Sequence, residues 1–209
     1  MEEAQPRQLE RGELSFFYRP RSDEMAGGSQ HFPGVQRLLI ALCPERKRQY
    51  RVLAIAGEDT SRFWGFVDLV LDSPQDLRAA LSAQTYAIDT ELVGYFPAAE
   101  RIASGRYQFV EQDGETWFDY QLSDLEDGSI IERNGSYAVR VANPDPWVWG
   151  LAKAPSMQAE LYEEAEVHVT LPATLPTELL AELGNQQTIF MTNPGFLDFP
   201  GVELIFIAR

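Results

Sequence analysis

Four side chains in this sequence carry groups that could serve an enzyme as general acids or bases: Asp68, Asp72, His31 and His168. A carboxylate and an imidazole within hydrogen-bond reach of a substrate can exchange protons with it near neutral pH. Simpler roles compete, because Asp72 precedes a helix start and His168 alternates with valines as a strand residue does. The sequence therefore keeps acid–base enzyme chemistry as an alternative, and whether the protein is an enzyme stays uncertain.

Recognisable catalytic signatures are missing from the chain. It contains no phosphate-binding glycine loop, no paired-histidine metal motif and no nucleophile elbow. With two histidines and a single cysteine, we predict no metal site, no cofactor and no internal disulfide. Cys43 ends the apolar run LLIALC, which is typical of a buried thiol rather than a nucleophile.

Two tryptophans form the clearest candidate binding feature. Trp147 and Trp149 lie two residues apart in the proline-rich stretch NPDPWVWGLAKAP, where an extended backbone would place both indoles on one side. Exposing two indoles is costly, so the pair either pins this loop onto the protein body or offers a binding surface. His31 lies in a second loop and joins them as a predicted ligand- or partner-binding residue, because loops often carry function.

The elements that would position these residues are clearest between residues 66 and 84. Phe66–Leu71 reads as a buried strand, and a helix begins at Ser73, a natural N-cap followed by Pro74 at the first helical position. Similar spacing recurs from His168 to Gln186, and GELSFFY near the start resembles GETWFDY in the second half. The recurrence favours an internal duplication.

Strand patterns outnumber helix patterns along the rest of the chain. Val35–Leu42 and Arg51–Ala56 suggest an antiparallel pair, and Asp113-Gly114 marks a hairpin turn. Connections are too short for regular parallel crossovers. We therefore predict an α+β fold with largely antiparallel or mixed sheets and a few short helices. Two related halves, residues 1–104 and 105–209, would form it, either separately or as one compact unit.

Charge is unevenly distributed along the chain. The net charge is −15; residues 1–104 carry 12 basic and 15 acidic side chains, whereas residues 105–209 carry 5 and 17. Such a surface repels phosphate backbones and anionic lipid, so we predict neither nucleic-acid nor membrane partners. Because the start lacks the apolar stretch of a signal peptide and no run is long enough to span a membrane, we predict a cytoplasmic protein.

Several strand ends and turns resemble those of one family. Ala103-Ser-Gly-Arg-Tyr107, Gly135-Ser-Tyr137, Asn143-Pro144 and the ending NPGFLDFPGVELIFIA together resemble an uncharacterised family of bacterial proteins of about this chain's length. The resemblance implies a soluble bacterial protein and lends no activity, cofactor or catalytic residue. In that family the hairpin turn is often rich in histidine, whereas this chain has Gln112, Glu115 and Trp117 there.

Taken together, these patterns favour a non-catalytic cytoplasmic module that binds a small-molecule ligand or an unknown protein. Two alternatives stay open. One is the acid–base enzyme described above. The other is a structural subunit of a homo-oligomer, in which the apolar final strand Val202–Ala208 pairs with a second copy to form a homodimer.

Overall fold

Antiparallel strands make up most of the described residues in a computed structural model. The structure describes residues 5–20, 35–59, 61–87, 93–126, 131–149 and 173–209. The strands are β1 (Arg7–Pro20), β2 (Val35–Pro44), β3 (Tyr50–Asp59), β4 (Arg62–Leu71), β5 (Gln84–Ala87), β6 (Val93–Phe96), β7 (Glu100–Gln112), β8 (Glu115–Leu125), β9 (Asn134–Ala142), β10 (Thr188–Phe190) and β11 (Glu203–Ala208). The helices are α1 (Pro74–Leu81) and α2 (Thr177–Leu183), with the short 3₁₀ helices η1 (Pro146–Trp149) and η2 (Pro194–Asp198).

Eight of these strands close into a barrel. Their order is β9-β11-β4-β3-β2-β1-β7-β8, and the pairing of β8 with β9 completes the ring. Every pairing is antiparallel. β10 pairs with β9 near its end, while β5 and β6 form a separate two-stranded sheet. None of the described helices is long and apolar enough to cross a membrane.

The predicted α+β fold is therefore wrong: the described chain is an antiparallel β-barrel that carries only two α-helices. The physical reason is that short connections and hairpin turns look the same in an open sheet and in a barrel. Closure depends on pairings between strands far apart in the chain, such as β1 with β7 and β4 with β11. Hydrophobic periodicity does not report such pairings.

Alternating side chains separate the barrel interior from its outer face. Ile40 and Leu42 of β2 face the interior, and Leu39, directly before Ile40, faces outward. The interior contains a contiguous cluster of buried side chains, including the packed rings of Phe109 and Phe118. A smaller apolar cluster on the outer face of β2, β3 and β4 packs against α1.

Several local predictions are confirmed. The Oγ of Ser73 accepts a hydrogen bond from the backbone N–H of Asp76 at 3.1 Å, which caps α1 as the sequence indicated. β2 and β3 pair in antiparallel fashion. Asp113 and Gly114 turn the β7–β8 hairpin with φ angles of 54° and 81°.

Residues from both predicted halves contribute to the ring. β1 to β4 come from residues 1–104, β8, β9 and β11 come from residues 105–209, and the boundary itself falls inside β7. Neither range therefore holds enough strands to close this ring without the other. In the second copy of the recurring pattern, α2 is present, and the strand predicted from His168 lies outside the described residues.

One end of the barrel is covered by short helices, and we call it the capped end. Four parts of the chain meet there: the start of β1, the β2–β3 turn, the end of β4 and the start of β11. The strand register shows this, because Gly12 pairs with Pro44 and Tyr50 pairs with Leu71. η2 lies directly before β11, and its Phe196 and Leu197 are completely buried in the interior cluster. The end of β9 leads into η1 at the same end.

Candidate functional site

A buried ion network lies inside the capped end. Arg51 of β3 has no exposed surface, and its Nε and Nη2 donate hydrogen bonds to Oδ1 of Asp198 at 2.8 and 2.6 Å. Its Nη1 donates to Oε1 of Glu10 at 2.6 Å, and the hydroxyl of Tyr107 donates to the same oxygen at 2.9 Å. One guanidinium is thus held between two carboxylates that come from different parts of the chain.

Strand geometry explains why these charges meet. Arg51 lies two residues before Leu53, so it shares the interior face of β3. Glu10 follows an irregularity in the β1–β7 register between Gln8 and Glu10, and a bulge of this kind redirects a side chain. Asp198 ends η2, and its position is fixed because the neighbouring Leu197 is buried in the core.

The electrostatics keep the network in one charge state near neutral pH. Burial lowers the pKa of Arg51, but the charges and hydrogen bonds of Glu10 and Asp198 outweigh burial and raise it overall. Burial and the nearby Glu10 raise the pKa of Tyr107 far above its ordinary value, so its phenol stays neutral. Arg51 therefore remains a cation that is paired with Glu10 and Asp198. Its contact with Asp198 attaches η2 to the wall of the barrel.

Acid is expected to weaken this attachment. Partial burial pushes the pKa of Asp198 upward, but hydrogen bonding to Lys47 and the charge and hydrogen bonds of Arg51 outweigh it, so the pKa lies below its ordinary 3.8. Because the folded-state pKa is depressed, the stabilisation is complete above the unfolded pKa and is lost as pH falls through the folded value. We expect Asp198→Asn to be less stable than the wild type near neutral pH and the difference to shrink below about pH 4. Urea titrations across this range measure it, and a constant difference would contradict the assignment.

The two predicted tryptophans have different environments. Trp147 is 90% exposed, whereas Trp149 is half-buried and its indole Nε1 donates to the backbone oxygen of Asn143 at 2.8 Å. The extended backbone that would place both indoles on one side does not form. Residues 146–149 instead form η1, and a 3₁₀ helix turns the chain by about 120° per residue. Trp149 therefore pins the segment, and Trp147 points its indole into solvent.

Asn143 fixes η1 to the rest of the capped end. Its buried side-chain amide donates to the backbone oxygens of Gly184 and Gln186 at 3.2 and 3.0 Å, beside the end of α2. Its Oδ1 accepts the N–H of Asp145 at 3.0 Å, and the Asp145 carboxylate accepts the N–H of Trp147 at 2.9 Å. The backbone that carries the exposed indole is thus held at several points.

The remaining predicted residues are not assembled into a catalytic group in the part of the chain that the structure describes. His31 and His168 lie outside the described residues. Asp68 is half-buried on β4, and Asp72 is exposed just before α1. Within the described ranges, no group of three or more His, Cys, Asp or Glu side chains could hold a metal ion.

Sequence reasoning missed Glu10, Arg51 and Asp198. A signal was present for Arg51, because it occupies a position of interior parity in the apolar run RVLAIA. A charge at such a position is almost always paired when buried, so the sequence could have indicated an interior ion pair. Nothing in the local pattern identified the two carboxylates as its partners.

Comparison of the chain with protein-family models, curated proteins and solved structures gives no match. The resemblance to a bacterial family therefore stays a prediction.

Proposed function

We propose that this protein is a non-catalytic cytoplasmic binding module that engages a protein partner through Trp147 at the capped end. The observation that carries the proposal is an indole 90% exposed on a segment whose backbone is fastened by hydrogen bonds. A side chain that served only to pin the segment would be buried, as Trp149 partly is.

The energetics of association support this role. Tryptophan is enriched among the few interface residues that contribute most of a binding free energy, because it buries a large apolar area on contact. Fixing its backbone in advance lowers the conformational entropy lost on binding. Asn143 and Trp149 provide that fixation, since together they tie η1 to the end of α2 and to the end of β9.

Charge indicates the kind of surface that the partner presents. The chain carries a net charge of −15, and residues 105–209, which include Trp147, hold most of the excess acid. A basic partner surface would be steered toward this half, and an arginine or lysine can also stack on an indole. We therefore assign a partner with a basic contact surface.

The acid–base enzyme alternative receives no comparable support. The charged groups of the buried ion network, Arg51, Glu10 and Asp198, are engaged with one another through short hydrogen bonds. Asp68 lies on β4 and Asp72 precedes α1, so the two predicted carboxylates belong to different parts of the structure.

Site-specific photocrosslinking tests the proposal. A benzophenone amino acid in place of Trp147 is expected to capture one dominant protein in the native cells, with a basic contact surface identified by peptide mapping. The same probe in place of Ile207 is the matched control, because Ile207 is also an exposed apolar residue but lies toward the other end of β11. No adduct at position 147, or the same adducts at both positions, would contradict the proposal.

A further inference from the structure

A polar groove of about 460 Å³ lies on the outer face of the barrel beside the capped end. Strand register builds its floor: Arg106 of β7 lies opposite Glu13 of β1, and Glu13 lies opposite Cys43 of β2. Because Leu42 pairs with Arg51, Cys43 comes next to Tyr50 of β3. The β2–β3 turn and the start of α1 form the walls. The volume falls within the range of small-molecule sites.

Charges of both signs line this groove. Arg48 and Arg106 contribute cations, and Glu13 and Asp72 contribute carboxylates. Lys47 and Glu45 also line the groove, but they pair with Asp198 and Arg11. Arg106 approaches Glu45 only at 3.9 Å. Among the ion pairs of the described residues, none involves Arg48, Glu13 or Asp72. Arg48, Glu13 and Asp72 can therefore pair with a bound molecule, and Arg106 can exchange its long contact with Glu45 for a closer one.

The rest of the floor, Cys43 and Tyr50, is neutral. Burial raises the pKa of the Cys43 thiol despite a hydrogen bond with Tyr50, and burial together with Cys43 raises the pKa of the Tyr50 phenol. Both groups are therefore uncharged near pH 7. A thiol in this state is a weak nucleophile, so the floor provides polar and aromatic contact rather than covalent chemistry.

We infer that this groove binds a small zwitterion, which presents a carboxylate to the arginines and an amine to the carboxylates. Arg106 and Glu13 lie on adjacent strands whose backbones are about 5 Å apart, so their long side chains can reach the two ends of a short linear amino acid. A molecule with only one charge would be attracted by the groove's charges of one sign and repelled by those of the other sign. This site is separate from the Trp147 surface, and neither proposal depends on the other.

Three molecules of matched length test the inference: 4-aminobutyrate, butyrate and butylammonium. Each is titrated into the full-length, isotope-labelled protein while the amide resonances of Glu13, Tyr50 and Arg106 are followed by NMR. We expect saturable shifts with 4-aminobutyrate alone. Glu13→Gln and Arg106→Gln should each weaken that binding about tenfold, because each removes one charge-assisted contact.

Arg101→Gln is the matched control, since Arg101 is an exposed arginine of the same strand that does not line the groove. It should bind 4-aminobutyrate as the wild type does. The inference is overturned if 4-aminobutyrate produces no saturable shift, if butyrate or butylammonium binds as tightly, or if the two groove variants bind as well as the control.

Discussion

Replacing Arg51 by methionine is expected to lower the free energy of unfolding by about 3–5 kcal/mol, the usual cost of removing one partner from a buried ion pair. The variant keeps a flexible, unbranched apolar side chain but leaves Glu10 and Asp198 without the cation that both contact. Two carboxylates that share a poorly solvated site repel each other and lose hydrogen-bond donors. Urea denaturation followed by circular dichroism measures the change.

Lys47→Met is the matched control for this experiment. Lys47 also pairs with Asp198, but its side chain is 41% exposed, so the pair is screened by water and its loss should cost less than about 1 kcal/mol. A triple variant that combines Arg51→Met with Glu10→Gln and Asp198→Asn should recover part of the stability, because no buried charge is then left unpaired. If Arg51→Met is as stable as Lys47→Met, the apolar contacts of η2 hold the cap without the network.

Local elements could be predicted because their signals are short-range. Ser73 and Pro74 specify the start of α1 through capping and a fixed φ angle, and both act within one helical turn. Asp113 and Gly114 similarly accept the positive φ angles that the β7–β8 turn requires. Such signals depend only on neighbouring residues, so the elements they specify were predicted correctly even though the fold class was not.

Closure of the barrel could not be predicted in the same way. It requires Gly12 to pair with Tyr107 and Gly65 to pair with Leu204, and the residues of each pair lie far apart in the sequence. In each pair, one partner lies in residues 1–104 and the other in residues 105–209. Within the β7–β8 hairpin the backbones also approach closely: an added Cβ at Gly105 would lie 2.1 Å from the backbone oxygen of Gln121, so this position requires a glycine.

The candidate site was predictable in its residue types but not in its geometry. The spacing of Trp147 and Trp149 identified the segment, yet their division into an exposed and a pinned indole depends on the 3₁₀ turn and on the distant Gly184 and Gln186. Such tertiary contacts override the preference of the local sequence for an extended backbone. The ion network was missed for the same reason, because its carboxylates belong to residues far from Arg51 in the chain.

Replacing Trp147 by alanine is expected to weaken binding of the partner captured at that position by about 30-fold, which corresponds to about 2 kcal/mol. The indole is exposed in the free protein and would be buried in the complex, so its removal costs apolar contact in the bound state. The free energy of unfolding should change by less than about 0.5 kcal/mol, because an exposed side chain contributes little to the folded core.

The most direct measurement is the dissociation constant of that partner, determined by isothermal titration calorimetry for the wild type, Trp147→Ala and Ile207→Ala. A binding role for the capped end predicts a loss of about 30-fold for Trp147→Ala and unchanged affinity for Ile207→Ala, with all three proteins equally folded. Equal affinity of Trp147→Ala and the wild type would contradict the assignment of Trp147 as the centre of the binding surface.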